Sequence, residues 1–252
     1  MIYICYGITK SASTFLYQLT EEVFRAAGRK PARLGPPLRP RMSVENYFGS
    51  IDPTLLQDIS GQAAGRDVVL KTHALPHPEV GRLITAGSVL ASASIRDPRE
   101  IRPLHTRSRP SFAPMGLCPF FQFSQSADTL AALDDQIATF HAWSSLGRVN
   151  VFTYNEICFD SASVVARIGA QIGVAIDTAD VLKLFHGNRC IGQFSKGAAL
   201  RFREMAPEQQ WYVSSVMPRF TVNIHLRRRR PRRPRIASGK KRPRPGASWR
   251  NI

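Results

Sequence analysis

The chain opens on a β-rich apolar run, residues 2–7 (IYICYG), followed by a polar turn, Thr9-Lys10-Ser11-Ala12-Ser13. Phe15, Leu19, Val23 and Ala27 then recur every fourth residue until Gly28 stops the pattern. Strand, loop and a helix with one buried stripe are the elements this order predicts. Short apolar runs at 67–71 (DVVLK), 88–95 (SVLASASI) and 149–154 (VNVFTY), each bounded by turn residues, predict three further strands. Helical periodicity shows at 130–146, 161–172 and 179–185. Strands that alternate with helices predict an α/β fold in which a parallel β-sheet is flanked by helices on both faces. No internal repeat interrupts that order.

Two internal segments depart from the pattern. Residues 29–41 hold four prolines and five Lys or Arg with few apolar anchors, which predicts a mobile surface loop. Residues 102–119 (RPLHTRSRPSFAPMGLCP) are broken by prolines where a helix is expected after a strand, and together with the tail they have the look of sequence in a shifted reading frame. The formal net charge of +17 is unevenly placed: residues 227–252 carry 12 basic and no acidic side chains, which leaves +5 for the remainder, an ordinary value for an enzyme. Dense like charge and low hydrophobicity predict a disordered tail at 227–252 beside one domain at 1–220. With 43% apolar residues the domain can bury a core. No apolar run approaches the roughly 18 residues of a membrane span, and the N-terminus lacks a basic-then-apolar signal pattern, so a cytoplasmic setting is expected. Cys5, Cys118, Cys158 and Cys190 form no CxxC pair, which supports neither a zinc knuckle nor a disulfide framework.

The candidate chemistry lies in the first turn. A lysine and small hydroxyl residues between a strand end and a helix N-terminus can bind phosphate, because unpaired N–H groups and the helix dipole meet the anion while Lys10 adds a full charge. The bland alternative is a capped helix in which Ser11 and Ser13 satisfy orphan donors. A Walker A loop is excluded: GxxxxGK(S/T) is absent, since Gly7 precedes Lys10 by only three positions. His73 follows the run at 67–71, at the carboxyl end of an expected parallel strand, where ligands bind in open α/β sheets. His77, between two prolines, is the weaker candidate. Trp143 and Phe140 sit at core spacing with Leu133 and Ile137, and Arg99 with Glu100 reads as a solvated helix start.

Residues 9–15 (TKSASTF) resemble the 5′-phosphosulfate loop of the sulfotransferases, commonly written PKSGTTW. Lys71-Thr72-His73, Arg96-Asp97-Pro98-Arg99, Tyr154-Asn155-Glu156 and Lys196-Gly197 then resemble, in order, four further motifs of that family over about residues 1–210. The resemblance implies a P-loop NTPase-like sulfotransferase fold and transfer of a sulfuryl group from 3′-phosphoadenosine 5′-phosphosulfate (PAPS) to an acceptor hydroxyl or amine, without a metal. It implies that Lys10, Ser11, Ala12, Ser13 and Thr14 hold the 5′-phosphosulfate and that Phe15 stacks on adenine. Arg96, Lys196 and Gly197 would hold the 3′-phosphate, and Tyr154 would lie near the adenine. Lys10, Lys71 and His73 form the implied catalytic set, with His73 as the base. Three positions depart from the family pattern: Ala12 replaces a glycine, Ser195 an arginine, and Leu104 stands where a 3′-phosphate serine is expected.

Other readings stay open. A P-loop kinase is disfavoured by the missing Walker A spacing and by the lack of an acidic strand end for magnesium. A degenerate, catalytically weak sulfotransferase fold would explain the departures, and the basic tail could bind nucleic acid without sequence preference. The sequence identifies neither the acceptor nor the oligomeric state.

Overall fold

The computed structural model describes residues 1–38, 46–98, 100–101, 126–187 and 207. The expectations for 102–119, Leu104, Ser195, Lys196, Gly197 and the tail at 227–252 lie outside the described residues.

Among the described residues five strands form one sheet: β1 (Ile2–Gly7), β2 (Tyr47–Phe48), β3 (Val68–Thr72), β4 (Val89–Ile95) and β5 (Val149–Thr153), in the order β2-β3-β1-β4-β5. Every pairing is parallel, with Ile4 of β1 opposite Leu70 on one side and Ala91 on the other. The helices are α1 (Ser13–Ala26), α2 (Pro53–Ala63), α3 (Pro78–Ala86), α4 (Ser126–Ser144), α5 (Tyr154–Phe159), α6 (Ser161–Gln171) and α7 (Thr178–Gly187). The chain builds β2 and β3 on one side of β1 and then β4 and β5 on the other. The carboxyl end of β1 is therefore the switch point at which open parallel sheets bind ligands.

Alternation along β1 divides the core into two layers. Ile4 and Tyr6 face a cluster with Leu56 and Ile59 of α2, Val80 and Ile84 of α3, and Ile137 and Trp143 of α4. Tyr3 and Cys5 face the opposite cluster with Leu16 and Val23 of α1, Val165 and Ile168 of α6, and Val181 of α7. Both faces of the sheet are covered, as the hydrophobic pattern predicts. Burial raises the Cys5 thiol to about 12, which keeps it protonated and inert.

The expected strands and helices are present with ends shifted by a few residues. The strand expected at 149–154 stops at Thr153, because Thr153 caps α5: its hydroxyl accepts from the Glu156 N–H, and Glu156 reaches back to the Thr153 N–H (2.8 Å). Tyr154 is accordingly the first residue of a helix. Helices α2 and α3, both opened by proline, and the short edge strand β2 escaped the periodicity reading.

The expected mobile loop at 29–41 needs correction over its described part, because residues 29–38 include anchored positions. Ala32 and Leu34 are buried, and Leu34 N–H donates to Asn46 Oδ1 (3.1 Å). Asn46 Nδ2 in turn donates to the Ala32 and Val69 carbonyls, both at 3.0 Å. Arg33 reaches Glu21 (2.6 Å) and Tyr17 (2.5 Å), and Tyr17 donates to the same carboxylate (2.8 Å). Burial raises the Glu21 carboxyl, while Arg33 pulls it back down.

Asn46→Ala removes one amide that satisfies three buried backbone groups, and it should destabilise the fold by about 3 kcal/mol. A lower urea midpoint with an unchanged m-value checks this.

Candidate functional site

The loop that joins β1 to α1 is closed by contacts that only glycine permits at position 7. A Cβ there would lie 2.1 Å from Ser94 Oγ, 2.7 Å from Ser13 Cβ and 2.9 Å from Ser11 Oγ. The fully buried Ser11 hydroxyl donates to the Ile8 carbonyl (2.6 Å) and meets Ser94 Oγ at 2.8 Å, so the loop is pinned to β4. Lys10 and Ala12 both lie in the left-handed region, with φ of 62° and 65°. Ala12 thus keeps the backbone conformation a glycine would favour, at a cost of about 1 kcal/mol.

Ala12 is the N-cap of α1 and provides no side-chain cap. Among the described residues neither Ser11 nor Ser13 caps the helix, which removes the bland reading of this loop. Lys10 makes no hydrogen bond or ion pair among the described residues. The helix start and the lysine therefore have no side-chain acceptor among the described residues, the condition that an anion-binding loop requires. From the other side Thr9 is fixed by Gln136 of α4, whose Oε1 accepts from the Thr9 N–H (2.8 Å) and hydroxyl (2.7 Å).

The carboxyl end of β3 supplies the next groups. Lys71 is buried, donates to Thr14 Oγ1 on the first turn of α1 (2.6 Å) and lies 6.0 Å from the Tyr47 ring centroid. His73 packs beside Tyr47, with ring centroids 5.6 Å apart, and its Nδ1 lies 2.5 Å from the Gly7 carbonyl oxygen. A carbonyl only accepts, so Nδ1 carries the proton and Nε2 is left with its lone pair. Desolvation, helped by the Lys71 charge and opposed by the Gly7 carbonyl, lowers His73 to about 4. His77, by contrast, is the N-cap of α3 and accepts from Glu79 N–H, a structural role. Trp143 and Phe140 are core residues as expected: Trp143 stacks on Tyr6 (5.3 Å) and donates to the Ala74 carbonyl (2.8 Å).

On the β4–β5 side Arg96 and Tyr154 are brought together. The Arg96 guanidinium carbon lies 3.7 Å from the Tyr154 ring centroid, and both line a shallow recess with Ile95, Asp97, Glu100, Thr153 and Asn155. Arg96 is only 4% exposed, and its Nε and Nη2 both donate to Glu100 Oε2 at 3.0 Å. Glu100 is therefore buried and paired rather than part of a solvated helix start. Burial raises the Tyr154 phenol to about 12. Phe15 stacks on Phe185 of α7 at 4.8 Å, so one of its faces is covered by protein.

The structure thus gathers Lys10, Ser11, Ala12, Ser13, Thr14, Lys71 and His73 at the ends of β1 and β3. Arg96 and Tyr154 sit at the ends of β4 and β5, joined to the loop through Ser94. Sequence reading missed Gly7, Ser94, Gln136, Tyr47 and Glu100. Gly7 alone carried a local signal, as the glycine that ends the strand before the loop. Among the described residues no group of three or more His, Cys, Asp or Glu side chains could hold a metal ion, and no helix is long and apolar enough to cross a membrane.

No family model matches the chain, and no curated protein matches its sequence. Solved structures do match. Retinol dehydratase, in complex with androsterone and the inactive cofactor PAP, aligns with a TM-score of 0.52 at 15% identity over 89% of this chain and 81% of that one. A mouse sulfotransferase complexed with PAP aligns with a TM-score of 0.53 at 12% identity, over 88% of this chain and 84% of its own. The chain has the α/β fold of the sulfotransferases, with the parallel sheet and flanking helices expected from its pattern.

Arg96→Ala would remove the cation against which the Glu100 carboxylate is buried, and should cost about 3 kcal/mol of stability. Glu100→Gln in the same background should restore part of it. Urea unfolding of the two single variants and the double variant measures both effects.

Proposed function

We propose that the protein is a sulfotransferase that moves a sulfuryl group from PAPS to an acceptor hydroxyl or amine. The observation that carries this reading is the link from His73 to the Gly7 carbonyl, which holds a neutral imidazole against the strand end that launches the anion loop. Base and anion site are thereby neighbours by construction. The uncapped N-terminus of α1 and Lys10 suit the 5′-phosphosulfate, and the PAP named in both structural matches has the chemistry of the departing product.

In the step that follows from this arrangement, the acceptor oxygen attacks sulfur, and its proton passes to His73 Nε2. The bond between sulfur and the bridging phosphate oxygen breaks, and its electron pair leaves on 3′-phosphoadenosine 5′-phosphate. Lys10 and the N–H groups at the start of α1 stabilise the charge that develops on that oxygen. Lys71, held on Thr14, adds a fixed positive charge beside the base and depresses its pKa. Phe15 and Tyr154 are the candidate surfaces for the adenine, and Arg96 the candidate for its 3′-phosphate, with Lys196 and Gly197 joining it by resemblance.

A second reading, a fold that binds donor weakly and turns over little, is favoured by the burial of Arg96 against Glu100. The two readings separate in one pair of measurements. PAP should raise the melting temperature while ATP with magnesium does not, and sulfate transfer should be detected across an acceptor panel. Stabilisation by PAP without transfer selects the second reading.

Lys10→Ala should lower turnover by about a hundredfold or more while the unfolding midpoint stays unchanged, since a loop lysine with no partner among the described residues supports no core. Comparable turnover in the folded variant removes the phosphosulfate-loop assignment. His73 works as a neutral base, so kcat/KM for the donor should be flat at neutral pH and fall only as pH drops through about 4, below the ordinary histidine range. His73→Asn should remove most turnover yet retain PAP binding, as read by transfer assay and calorimetry.

A further inference from the structure

Strand β2 is only two residues long, yet it is fixed on both sides of Tyr47. The Lys71 N–H donates to the Asn46 carbonyl (2.9 Å), and the parallel register sets Tyr47 beside Lys71 and Phe48 beside Thr72. Asn46 and Phe48 are both buried, and the Asn46 amide is tied to the Ala32 and Val69 carbonyls. Successive strand residues face opposite sides, so Phe48 enters the core while Tyr47 turns the other way, to the side of its register partner Lys71. There its ring centroid lies 6.0 Å from the Lys71 ammonium and 5.6 Å from the centre of the His73 imidazole, with the two rings inclined by 51°. One aromatic ring at the edge of the sheet thus borders both the implied base and the cation that acts on it. Around the imidazole the structure places the Gly7 carbonyl of β1 on Nδ1, the Lys71 ammonium of β3 and the Tyr47 ring of β2. Of these three only Lys71 is charged, since burial raises the Tyr47 phenol and keeps it protonated. An imidazole shut away from water stays neutral, because the imidazolium would lose its hydration. Lys71 works in the same direction and the Gly7 carbonyl against it.

We propose that Tyr47 is a positioning residue for His73: its ring, held at the sheet edge by Asn46 and Phe48, walls the imidazole and the Lys71 ammonium off from water. The inference rests on the function proposed above only for its catalytic consequence, because the wall belongs to the protein without ligand. The ring and not the phenol hydroxyl forms the wall, so phenylalanine should replace tyrosine without effect. With the ring gone, water solvates the imidazolium and screens Lys71. Both causes that depress His73 then weaken together, and its proton affinity rises.

The experiment follows the His73 ring proton by NMR as pH is lowered, with the resonance identified by its loss in His73→Asn. In the unmodified protein and in Tyr47→Phe, His73 should stay neutral until pH falls to about 4. Tyr47→Ser should raise the His73 pKa by about one pH unit or more, and Tyr47→Leu, which keeps apolar bulk, by less. A pKa in folded Tyr47→Ser within about 0.3 pH unit of the unmodified protein overturns the proposal and assigns the depression to Lys71 and the rest of the pocket. A shift in Tyr47→Phe equal to that in Tyr47→Ser also overturns it, because the hydroxyl would then be the active part. Should Tyr47→Ser fail to fold, Tyr47→Leu decides: a raised pKa supports the wall and an unchanged one removes it. On the sulfotransferase reading, the acidic limb of kcat/KM moves in parallel with the NMR titration while PAP affinity is retained. A limb that stays in place while the titration moves removes His73 as the base, and failure of every form to bind PAP removes that reading. Neither result alters the effect of Tyr47 on His73, which the titration alone decides.

Discussion

The whole site depends on the absence of a side chain at Gly7. Because no Cβ occupies that point, Ser94 of β4, Ser11 of the loop and Ser13 at the start of α1 close over the end of β1 at distances that any other residue would forbid. The Ser11–Ser94 contact then returns the chain toward the sheet, and Lys10 and Ala12 take up left-handed backbone to start α1. The carbonyl of the same Gly7 becomes the acceptor that sets the tautomer of His73. Three properties of the site, the tight loop, the uncapped helix start and the oriented imidazole, share this one steric condition.

The parallel sheet explains why these groups meet at all. With every strand pointing the same way, the ends of β1, β3, β4 and β5 deliver Gly7, Lys71 to His73, Arg96 and Tyr154 to one edge of the molecule. Helix α4 closes that edge from above with Gln136 on Thr9 and Trp143 on Tyr6 and Ala74. The two cation groups differ in how they are held. Lys71 donates to the Thr14 hydroxyl and its charge acts on His73; Arg96 donates to the Glu100 carboxylate.

Elements with strong periodicity were legible from sequence, and elements built by tertiary contact were not. β1, α1, β3, β4, β5 and α6 emerge from apolar runs and four-residue spacing because each buries a wide face. β2 is two residues long and exists because Asn46 ties it to β3 and to the 29–38 segment, a contact no local pattern announces. That same amide network is why a stretch rich in proline and arginine, which local composition assigns to a loose surface loop, has Ala32 and Leu34 in the core. Of the candidate site, Lys10, Lys71 and His73 could be proposed because motif order points to them. Glu100 could not: beside Arg99 in sequence it reads as a solvated helix start, and only burial against Arg96 turns it into a partner that matters.

On the proposed reading, burial sets the strength of the base as well. An imidazole lowered to about 4 is neutral at every physiological pH, so it never needs to lose a proton before acting, yet it is a weak proton acceptor while the site is empty. The second contributor to that depression is Lys71, whose charge disfavours the imidazolium. On the proposed reading, the anionic phosphosulfate settles against the α1 start, where Lys71 is already hydrogen-bonded to Thr14. Its negative charge offsets the lysine at His73, and proton affinity at Nε2 rises only once donor is in place. On that reading, the arrangement that makes His73 a poor base alone couples its basicity to occupation of the neighbouring anion site.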